Sequence, residues 1–383
     1  MKILFFIRVN EDGVIKRNDF RDIIAGQCRR GDDVEIYDTA TSSHFRMRED
    51  GSTDLISGRE RKFRLKPLLL IYRLLNLYLF SAKNAHRYDI SHFCYIREEF
   101  LILPRSLKKV ALRNIITVFG SDVGKRNMIK RLFKRFVYNA DIITITATNG
   151  RALLMKHFRY RKIEDRIIQL PLPLLIMKEI SSSELSKKEA KTMMGFNPDD
   201  LIVVCGSVLS PNEQYEKWVP LLNAQPCKDR NIVFVFPFTY GDFSLFDEYK
   251  KLIERHIPAG NFKILTGWMD DSDVVRLRKA TDILVNLRKT DQFAGIIMES
   301  VYTGAAVIVA GWLGYSYYTE NDYLLYRVNQ FSDLPVVLGE AINDSDKPEI
   351  IQKLIENSGK MGRDFSYGKL MNDWDLFYER LRM

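Results

Sequence analysis

Apolar runs of strand length alternate with helical patterns along most of the second half of the chain. Five strands are predicted there, over residues 201–205, 232–236, 262–265, 283–286 and 306–310. Each connecting segment places apolar residues at helical spacing. Strands that alternate with helices in this way predict a parallel sheet covered on both faces. The loops that follow the strands are then expected to share one edge of the sheet.

The first half follows a similar pattern with less regularity. Residues 2–9 predict a buried first strand, residues 18–30 a helix and residues 33–37 a second strand. The first turn holds only Gly13 and lacks Gly-x-Gly-x-x-Gly, which disfavours dinucleotide binding there. Residues 44–66 are polar and charged, and we predict a long loop, either a solvated insertion or an acceptor-binding loop.

Two helical segments of the first half carry unusual surfaces. Residues 65–85 are rich in Leu and Tyr but are interrupted by Arg73, Asn76 and Lys83, which predicts a core or interfacial helix and not a transmembrane one. Residues 125–140 combine an apolar stripe with a strongly basic face. Two interpretations stay open for that segment: a helix on anionic lipid, or a core helix with a solvated charged face.

Length and charge indicate two domains. A chain of 383 residues is too long for one ordinary core. Residues 1–180 contain 35 Lys and Arg against 20 Asp and Glu, a formal charge of +15, whereas the remainder has −6. The basic half favours an anionic membrane surface as a partner, and the lack of any nucleic-acid-binding motif disfavours nucleic acid. With the prolines near residue 173 as a boundary signal, we predict domains at 1–180 and 181–363, followed by a terminal helix at 364–383.

Metal and disulfide chemistry are not predicted. The cysteines are scattered without a Cys-x-x-Cys pair, and the five His are isolated. We interpret the N-terminus as a strand and not as an export signal, so the thiols are expected to be reduced in the cytoplasm. The Asp271-Ser272-Asp273 triplet opens a predicted helix and is interpreted as N-capping. No metal and no cofactor is expected.

Residues 290–312 are central to the predicted function. Their sequence predicts a loop, a short helix, a glycine turn and a buried strand. The backbone N–H groups of Phe293, Ala294 and Gly295 then lie at a helix N-terminus, where they have no partner within the helix. Such a terminus binds anions, so a phosphate is expected there.

The same stretch carries a family resemblance. Asp291 and Glu299 are separated by seven residues, with a Phe-Ala-Gly step between them and a Gly-x-x-Val-Ile strand after them. This resembles the nucleotide-sugar site of GT-B glycosyltransferases of the retaining family-4 type, which has Glu at both acidic positions. Residues 237–241 (PFTYG) and 286–289 (NLRK) also resemble the fucosamine transferases that build enterobacterial common antigen, a family that is inverting. The stereochemical outcome therefore stays open.

The resemblance implies a fold and a set of roles. It implies an α/β protein of the GT-B class, with two Rossmann-like domains facing a central cleft. Glu299 would accept hydrogen bonds from the ribose hydroxyls, and Asp291 would contact the donor sugar as a catalytic carboxylate. Asp122, in a Gly-Ser-Asp step after a predicted strand, resembles an acceptor-side base, with helix capping as the alternative.

The remaining donor-binding residues follow from the loops at the same sheet edge. Family-4 enzymes place an Arg in the first loop of the second domain and a Lys shortly after it. Here Ser207 occupies the region of the Arg and only Lys217 matches the Lys, so Arg288 or Lys289 is expected to substitute. The full predicted donor set is Ser207, Lys217, Tyr240, Gly267, Trp268, Met269, Arg288, Lys289, Phe293, Ala294, Gly295 and Glu299.

We therefore expect a metal-independent glycosyltransferase that moves a hexosyl or related sugar from a nucleoside diphosphate to a cell-envelope glycan or a lipid-linked acceptor. Lipopolysaccharide and capsule synthesis are the processes considered, with a cytoplasmic protein held peripherally at the inner face of the membrane. Two alternatives stay open. One is a nucleotide-sugar 2-epimerase, and the other is a non-catalytic GT-B scaffold in an envelope-assembly complex.

Overall fold

The computed structural model describes residues 1–9, 20–38, 40–58, 66–119, 127–147, 150–158, 163–222, 231–291, 294–313 and 315–382. The chain divides into two compact units, one of Met1–Pro173 with Gly368–Met383 and the other of Leu174–Tyr367. Residue 180, the predicted end of the first domain, thus belongs to the second unit. No helix in the described ranges is both long and apolar enough to cross a membrane.

The elements of the described residues are numbered in chain order. The strands are β1 (Lys2–Ile7), β2 (Asp33–Asp38), β3 (His44–Met47), β4 (Thr53–Ser57), β5 (Tyr88–Phe93), β6 (Ala111–Val118), β7 (Ile142–Ile145), β8 (Ile167–Gln169), β9 (Leu201–Cys205), β10 (Ile232–Phe238), β11 (Phe262–Thr266), β12 (Ile283–Asn286), β13 (Ala306–Ala310) and β14 (Tyr326–Val328). The helices are α1 (Arg21–Arg29), α2 (Lys66–Lys83), α3 (Glu98–Ile102), α4 (Pro104–Lys108), α5 (Asn127–Asn139), α6 (Gly150–His157), α7 (Leu175–Ser182), α8 (Lys187–Met193), α9 (Tyr215–Leu222), α10 (Phe246–His256), α11 (Asp271–Ala280), α12 (Gly295–Tyr302), α13 (Ser316–Glu320), α14 (Leu334–Asp344), α15 (Pro348–Phe365) and α16 (Tyr367–Arg382).

The first unit is built on an eight-stranded sheet, with the order β4-β3-β2-β1-β5-β6-β7-β8 among the described residues. All neighbours are parallel except the β2–β3 and β3–β4 pairs, which are antiparallel. The β3–β4 hairpin comes from the segment predicted as a loop, so the loop prediction is wrong over much of residues 44–57. Its sequence is polar because β4 is an edge strand with a largely exposed surface.

Alternate residues of β1 enter two separate cores. Leu4 and Phe6 join the core on one face, which α2 to α6 cover, whereas Phe5 joins the core on the opposite face, which α1 and α16 cover. Helix α5 contributes Phe133 and Phe136 to the first of these cores. The burial of this apolar stripe favours the core-helix interpretation of residues 125–140.

The C-terminal helix α16 belongs to the first unit. The Trp374 side chain is fully buried, and its Nε1 donates a hydrogen bond to the Pro171 carbonyl at 2.9 Å. Ion pairs join Arg30 to Asp375 at 2.7 Å and Arg382 to Asp32 at 2.6 Å. Apolar packing and polar contacts therefore both hold this helix against α1 and its neighbours.

The second unit contains a six-stranded parallel sheet with the order β11-β10-β9-β12-β13-β14 in the described ranges. All residues of the central strand β9 are buried, as expected for a parallel sheet covered on both faces. The chain proceeds from β9 outward to β10 and β11, and then crosses to β12 on the other side of β9. The strand order therefore reverses between β9 and β12, which is where open α/β sheets form ligand-binding crevices.

Candidate functional site

A cavity of about 240 Å³ opens at the carboxyl edge of the second sheet. Its described lining comes from the loops after β9, β10, β11 and β12 and from α11 and the start of α12. The lining residues are Ser207, Pro237, Thr239, Tyr240, Met269, Val274, Leu277, Arg278, Arg288, Ala294, Gly295, Ile296 and Glu299. The structure thus brings together seven of the predicted donor-binding residues: Ser207, Tyr240, Met269, Arg288, Ala294, Gly295 and Glu299.

Arg288 is held in the cavity wall by a buried ion pair. Its Nε lies 2.9 Å and its Nη2 2.8 Å from Oε1 of Glu213, and the Glu213 side chain is fully buried. The Ser207 hydroxyl donates to the same oxygen at 3.0 Å and accepts a hydrogen bond from Nη2 of Arg288. Ser207 and Arg288, from the loops after β9 and β12, therefore both donate hydrogen bonds to one carboxylate oxygen of Glu213.

Each charge of this buried pair shifts the pKa of the other group towards its ionised form. Burial raises the pKa of Glu213, and the Arg288 guanidinium opposes that shift. Burial lowers the pKa of Arg288, but the Glu213 carboxylate outweighs burial, so the net shift is upward. Arg288 is accordingly cationic at any physiological pH. The second oxygen of Glu213, Oε2, is buried without a hydrogen-bond partner among the described residues.

Gly206 makes room for this arrangement. Its φ is +68°, in the left-handed region that favours glycine. A Cβ atom at this position would lie 2.3 Å from the Tyr215 hydroxyl and 2.9 Å from Oε2 of Glu213. Any side chain at residue 206 would therefore displace the carboxylate that fixes Arg288.

The loops after β9 and β12 are also joined through their backbones. The Asn212 side chain accepts hydrogen bonds from the Thr290 amide at 3.0 Å and its hydroxyl at 2.9 Å, and donates to the Thr290 carbonyl at 2.9 Å. The Lys289 amide donates to the Asn212 carbonyl at 2.8 Å. On the other side, Nε1 of Trp312 donates to the Arg288 carbonyl at 2.9 Å. The backbone that carries Arg288 is therefore fixed on both sides.

The N-terminus of α12 faces the same cavity. Its N-cap residue, Ala294, offers no side-chain cap, and Ala294, Gly295 and Ile296 all line the cavity. The first N–H groups of a helix have no acceptor within the helix and carry the positive end of its dipole. This turn and the Arg288 guanidinium together present positive potential to the cavity.

Glu299 lies one turn further along α12 and forms the second ion pair of the cavity. Its Oε2 accepts a hydrogen bond from Nε of Arg278 at 2.6 Å, and both side chains are about nine-tenths buried. Its other oxygen, Oε1, lies over the start of the helix, 3.2 Å from where a Cβ of Gly295 would be. Arg278 thus engages one carboxylate oxygen of Glu299, and the residue as a whole lines the cavity.

The loop that carries the cavity residue Tyr240 packs closely against the backbone of Leu209. Gly241 has a φ of +120°, and a Cβ there would lie 2.2 Å from the Leu209 carbonyl oxygen. The Leu209 amide donates to the Tyr240 carbonyl at 3.0 Å, and the Asp242 amide donates to the Leu209 carbonyl at 2.8 Å. Tyr240 itself is half exposed and lines the cavity. Its aromatic ring can therefore contact a ligand.

Asp291, the predicted catalytic carboxylate, lies beside the cavity wall without being among the described lining residues. Its Oδ2 accepts a hydrogen bond from the Tyr315 hydroxyl at 2.9 Å. Burial raises the pKa of Tyr315, and the negative charge of Asp291 adds to that shift. Tyr315 therefore remains a neutral hydrogen-bond donor that orients Asp291.

Four further predicted donor residues are not among the described residues that line the cavity. The Lys217 ammonium group donates to Oε1 of Gln214 at 2.8 Å and lies 5.5 Å from the ring centroid of Phe331. The side chains of Lys289 and Trp268 are exposed, and Gly267 lies at the exposed end of β11. Arg288 is accordingly the predicted cation that the fold places in the site.

Two predicted residues, Asp122 and Phe293, lie outside the described residues. The acceptor-side role of Asp122 and the phosphate contact of the Phe293 amide therefore stay predictions.

Two charged residues that pair with side chains of the cavity lining, Glu213 and Arg278, were not predicted as site residues from the sequence. Glu213 follows Pro211 and Asn212 in a polar segment typical of a solvated loop. Arg278 lies in the last turn of α11, where a basic side chain is favoured by the helix dipole alone. Neither position carries a local pattern that separates a buried ion pair from an exposed side chain.

The capping interpretation of the acidic triplet at residues 271–273 requires a small correction. Helix α11 begins at Asp271, and its N-cap is Asp270, whose side chain accepts a hydrogen bond from the Asp273 amide at 2.9 Å. Asp273 forms an ion pair with Arg276 at 2.8 Å. Within the described ranges, no group of three or more His, Cys, Asp and Glu side chains is arranged to hold a metal ion.

Comparison with solved structures relates the fold to known enzymes. HepE (Alr3699) of Anabaena, in complex with UDP and glucose, has a TM-score of 0.72 at 13% identity over 99% of this chain and 100% of that chain. Sucrose-phosphate synthase of Thermosynechococcus elongatus has a TM-score of 0.71 at 13% identity over 100% and 99%. WaaG, a glycosyltransferase involved in lipopolysaccharide biosynthesis, has a TM-score of 0.65 at 14% identity over 98% and 99%.

The chain has the GT-B fold. This confirms the predicted fold class of two Rossmann-like units. No protein-family model matches the sequence, and neither does any curated protein sequence. Identities of 13–14% relate folds and not activities. The resemblances to family 4 and to the fucosamine transferases therefore stay predictions.

Proposed function

We propose that the protein is a glycosyltransferase that transfers a sugar from a nucleoside-diphosphate sugar. The observation that carries the proposal is the cavity at the β9–β12 switch point, which is lined by the uncapped start of α12, Arg288 and Glu299. An anion and a diol are the two chemical features that such a set recognises. A nucleoside diphosphate contains both.

The diphosphate would bind at the N–H groups of Gly295 and Ile296 and at Arg288. Negative charge grows on the leaving diphosphate as the glycosidic bond breaks, so donors aimed at it stabilise the transition state more than the ground state. Glu213 offsets the charge of Arg288, so binding of the diphosphate would depend on the orientation of the guanidinium N–H groups as much as on net charge. The fixed position of the guanidinium supplies that orientation.

The ribose would bind at Glu299. Arg278 holds Oε2, so Oε1 would accept a hydrogen bond from one hydroxyl of a vicinal diol. This modifies the sequence-based expectation, in which both oxygens were available to the diol. The role of Arg278 would be to orient the carboxylate.

The sugar and the base would occupy the two ends of the cavity. A volume of about 240 Å³ is below the roughly 300–1,000 Å³ typical of small-molecule sites, so part of a nucleotide sugar would extend beyond it. Tyr240 and Met269 lie in the walls where those parts would pass. Asp291 and Asp122 remain the proposed catalytic carboxylates, in a transfer of a hexosyl or related sugar that needs no metal.

The acceptor would be a cell-envelope glycan or a lipid-linked sugar, in lipopolysaccharide, capsule or related polysaccharide synthesis. The similarity to WaaG supports the lipopolysaccharide part of this proposal. The charge of +15 on residues 1–180 supports a protein held peripherally at the inner, anionic face of the cytoplasmic membrane.

A second candidate function is a non-catalytic scaffold with the same fold. One observation favours it: the two arginines of the cavity, Arg278 and Arg288, are each already paired with a glutamate. A cavity whose charges neutralise each other needs no ligand. The alternative of a 2-epimerase has no comparable support, because no His is among the described residues that line the cavity.

A ligand panel separates the two candidates. Wild-type protein is titrated with uridine, guanosine, thymidine and adenosine diphosphates, and hydrolysis of the matching nucleotide sugars is followed. A transferase binds at least one of the diphosphates and slowly hydrolyses the matching nucleotide sugar or transfers its sugar, whereas a scaffold binds none. Full activity of Glu299→Ala in that assay would reject the assigned site.

A further inference from the structure

Helix α2 of the first unit exposes an apolar stripe along most of its length. Leu68, Ile71, Leu75, Tyr78 and Leu79 are each about half exposed or more, with Ile71 at 61%. Their spacing places them within an arc of roughly 100° on one side of the helix. Contiguous apolar surface of this extent marks an interaction site on a folded protein.

The opposite side of α2 is fixed to the protein. Leu77 is 2% exposed, and the Phe80 ring packs against those of Tyr37 and Phe6 at centroid distances of 4.5 and 6.4 Å. The helix therefore has one face in the core and another facing outward, and both are apolar. The outward face is therefore exposed apolar surface on which a partner can dock.

Basic side chains are exposed on a helix that packs beside α2. Helices α3 and α4 both contact α2. Helix α3 exposes Ile102, and Arg105 and Lys108 of α4 and the following Lys109 are also exposed. Lys108 lies 3.7 Å from Asp141, whereas α2 itself contains no Asp or Glu. An apolar centre with a cationic border is complementary to the interface of an anionic bilayer, where acyl chains lie beneath negative headgroups.

We propose that the exposed face of α2, bordered by α4, is the surface by which the protein docks on an anionic lipid bilayer. This rests on the peripheral location proposed above and places the lipid contact on a different helix from the basic segment at residues 125–140, for which the sequence left a lipid and a core interpretation open. Among the side chains of α5 that the structure describes, Phe133, Phe136 and Val137 are buried in the core, whereas Arg131 and Arg135 are exposed. Helix α2 offers apolar side chains that can enter the headgroup region.

The main test measures flotation of the full-length protein with vesicles of phosphatidylglycerol and phosphatidylcholine. We expect Ile71→Glu with Leu75→Glu to lower the vesicle partition coefficient at least tenfold, because two carboxylates then enter the contact. Val336→Glu is the matched control, since Val336 is 65% exposed on α14 of the second unit. The control should bind as the wild type does, and both variants should keep the wild-type circular dichroism spectrum.

A second pair of variants tests the basic border. Arg105→Ala with Lys109→Ala should lower the partition coefficient about threefold and weaken its dependence on salt between about 0.05 and 0.5 M. Lys251→Ala with Arg255→Ala removes the same charge from α10 and should leave binding unchanged. An equal loss in both pairs would show that net charge alone drives binding and would overturn the proposed surface.

The outcomes distinguish this inference from the proposed function. Wild-type binding that survives Ile71→Glu with Leu75→Glu but is lost in Arg131→Ala with Arg135→Ala would overturn the α2 surface and keep the peripheral location. No binding to any vesicle would overturn both. A wild-type dimer that the α2 variant converts to a monomer, measured by light scattering, would assign the stripe to a second copy of the chain and overturn lipid docking. Donor hydrolysis is assayed in parallel and is unaffected by any of these results.

Discussion

Each unit buries a polar cluster near the carboxyl ends of its parallel strands, and the cluster of the second unit borders the cavity of about 240 Å³. In the first unit, His92 of β5 lies with Nδ1 2.5 Å from the Tyr378 hydroxyl and Nε2 2.7 Å from Oγ1 of Thr117. Thr117 in turn lies 2.7 Å from the Thr144 hydroxyl. Both nitrogens of the imidazole therefore have partners, and aromatic rings enclose it.

The cluster of the second unit is incomplete. One oxygen of Glu213 has no hydrogen-bond partner among the described residues, and Arg288 borders open space. Both clusters are buried and both have shifted pKa values: burial lowers the pKa of His92 to about 3 and raises that of Glu213. A shifted pKa alone would have marked both as functional sites. The comparison teaches that unfinished hydrogen bonding beside a cavity separates a binding site from a structural network.

The largest expected effect is that of Arg288→Met on donor turnover. Removing one preorganised donor to a developing negative charge costs about 10²–10³ in rate, so kcat/KM should fall by that factor. Leaving Glu213 unpaired in its buried site should also destabilise the fold by about 3–5 kcal/mol.

A double variant separates these two effects. Arg288→Met with Glu213→Gln should recover most of the stability, measured by urea unfolding, but none of the activity. Lys289→Met is the control, because that lysine is exposed and should be dispensable. Recovered activity in the double variant would assign the pair a purely structural role, like that of His92.

Glu299→Gln is expected to have the next largest effect. The loss of a charged acceptor for a ribose hydroxyl should raise the Kd of the nucleoside diphosphate about tenfold, since hydrogen bonds to charged groups contribute about 1.5–3 kcal/mol. Calorimetric titration measures this, with Glu356→Gln on the exposed side of α15 as the control. Unchanged affinity would place the ribose elsewhere.

The His92 cluster should show its structural character through pH. A histidine whose folded pKa is about 3 must stay neutral in the native state, whereas in the unfolded chain it protonates near its ordinary value of about 6.5. Its stabilising contribution is therefore complete above that value and is lost as the pH falls from about 6.5 toward 3, by about 1.4 kcal/mol per pH unit.

Nuclear magnetic resonance of the imidazole nitrogens measures that behaviour directly. The His92 ring should remain neutral down to about pH 4, and His92→Gln should remove about one proton from the pH dependence of unfolding. Protonation of His92 near pH 6.5 would contradict the enclosed network and weaken the comparison.

The smallest expected effect is that of Tyr315→Phe. This removes the hydroxyl that orients Asp291 while keeping the buried ring and the proposed catalytic carboxylate itself, so kcat should fall by only about twofold, the effect of one neutral hydrogen bond. A much larger fall in kcat with an unchanged KM would indicate that the orientation of Asp291 matters for the chemical step.

The sequence predicted the second unit better than the first for a physical reason. Buried parallel strands and their covering helices, such as β13 and α12, show a local spacing of apolar residues that is recognisable in the sequence. The β3–β4 hairpin leaves none, because its exposed edge strand has the composition of a loop. The sequence likewise predicted an amphipathic helix for α5 and a core or interfacial helix for α2, but not which faces would be buried.

The candidate site shows the same limit. The glycine-containing turn at Ala294 and Gly295, the Arg288 position and Glu299 follow from local motifs. The partners Glu213 and Arg278 do not, because Glu213 lies 75 residues from Arg288 and Arg278 lies 21 residues from Glu299. Such pairs depend on how the chain crosses from β11 to β12 on the other side of β9, and the local spacing of residues does not encode this crossing.

Hydrogen–deuterium exchange with and without a bound nucleoside diphosphate tests the central claim most directly. If the start of α12 binds the diphosphate, the peptides that contain Gly295, Ile296 and Arg288 should be protected on binding, and this protection should be lost in the double variant of Arg288 and Glu213. Binding that leaves these amides unprotected, or that protects the double variant equally, would contradict the account.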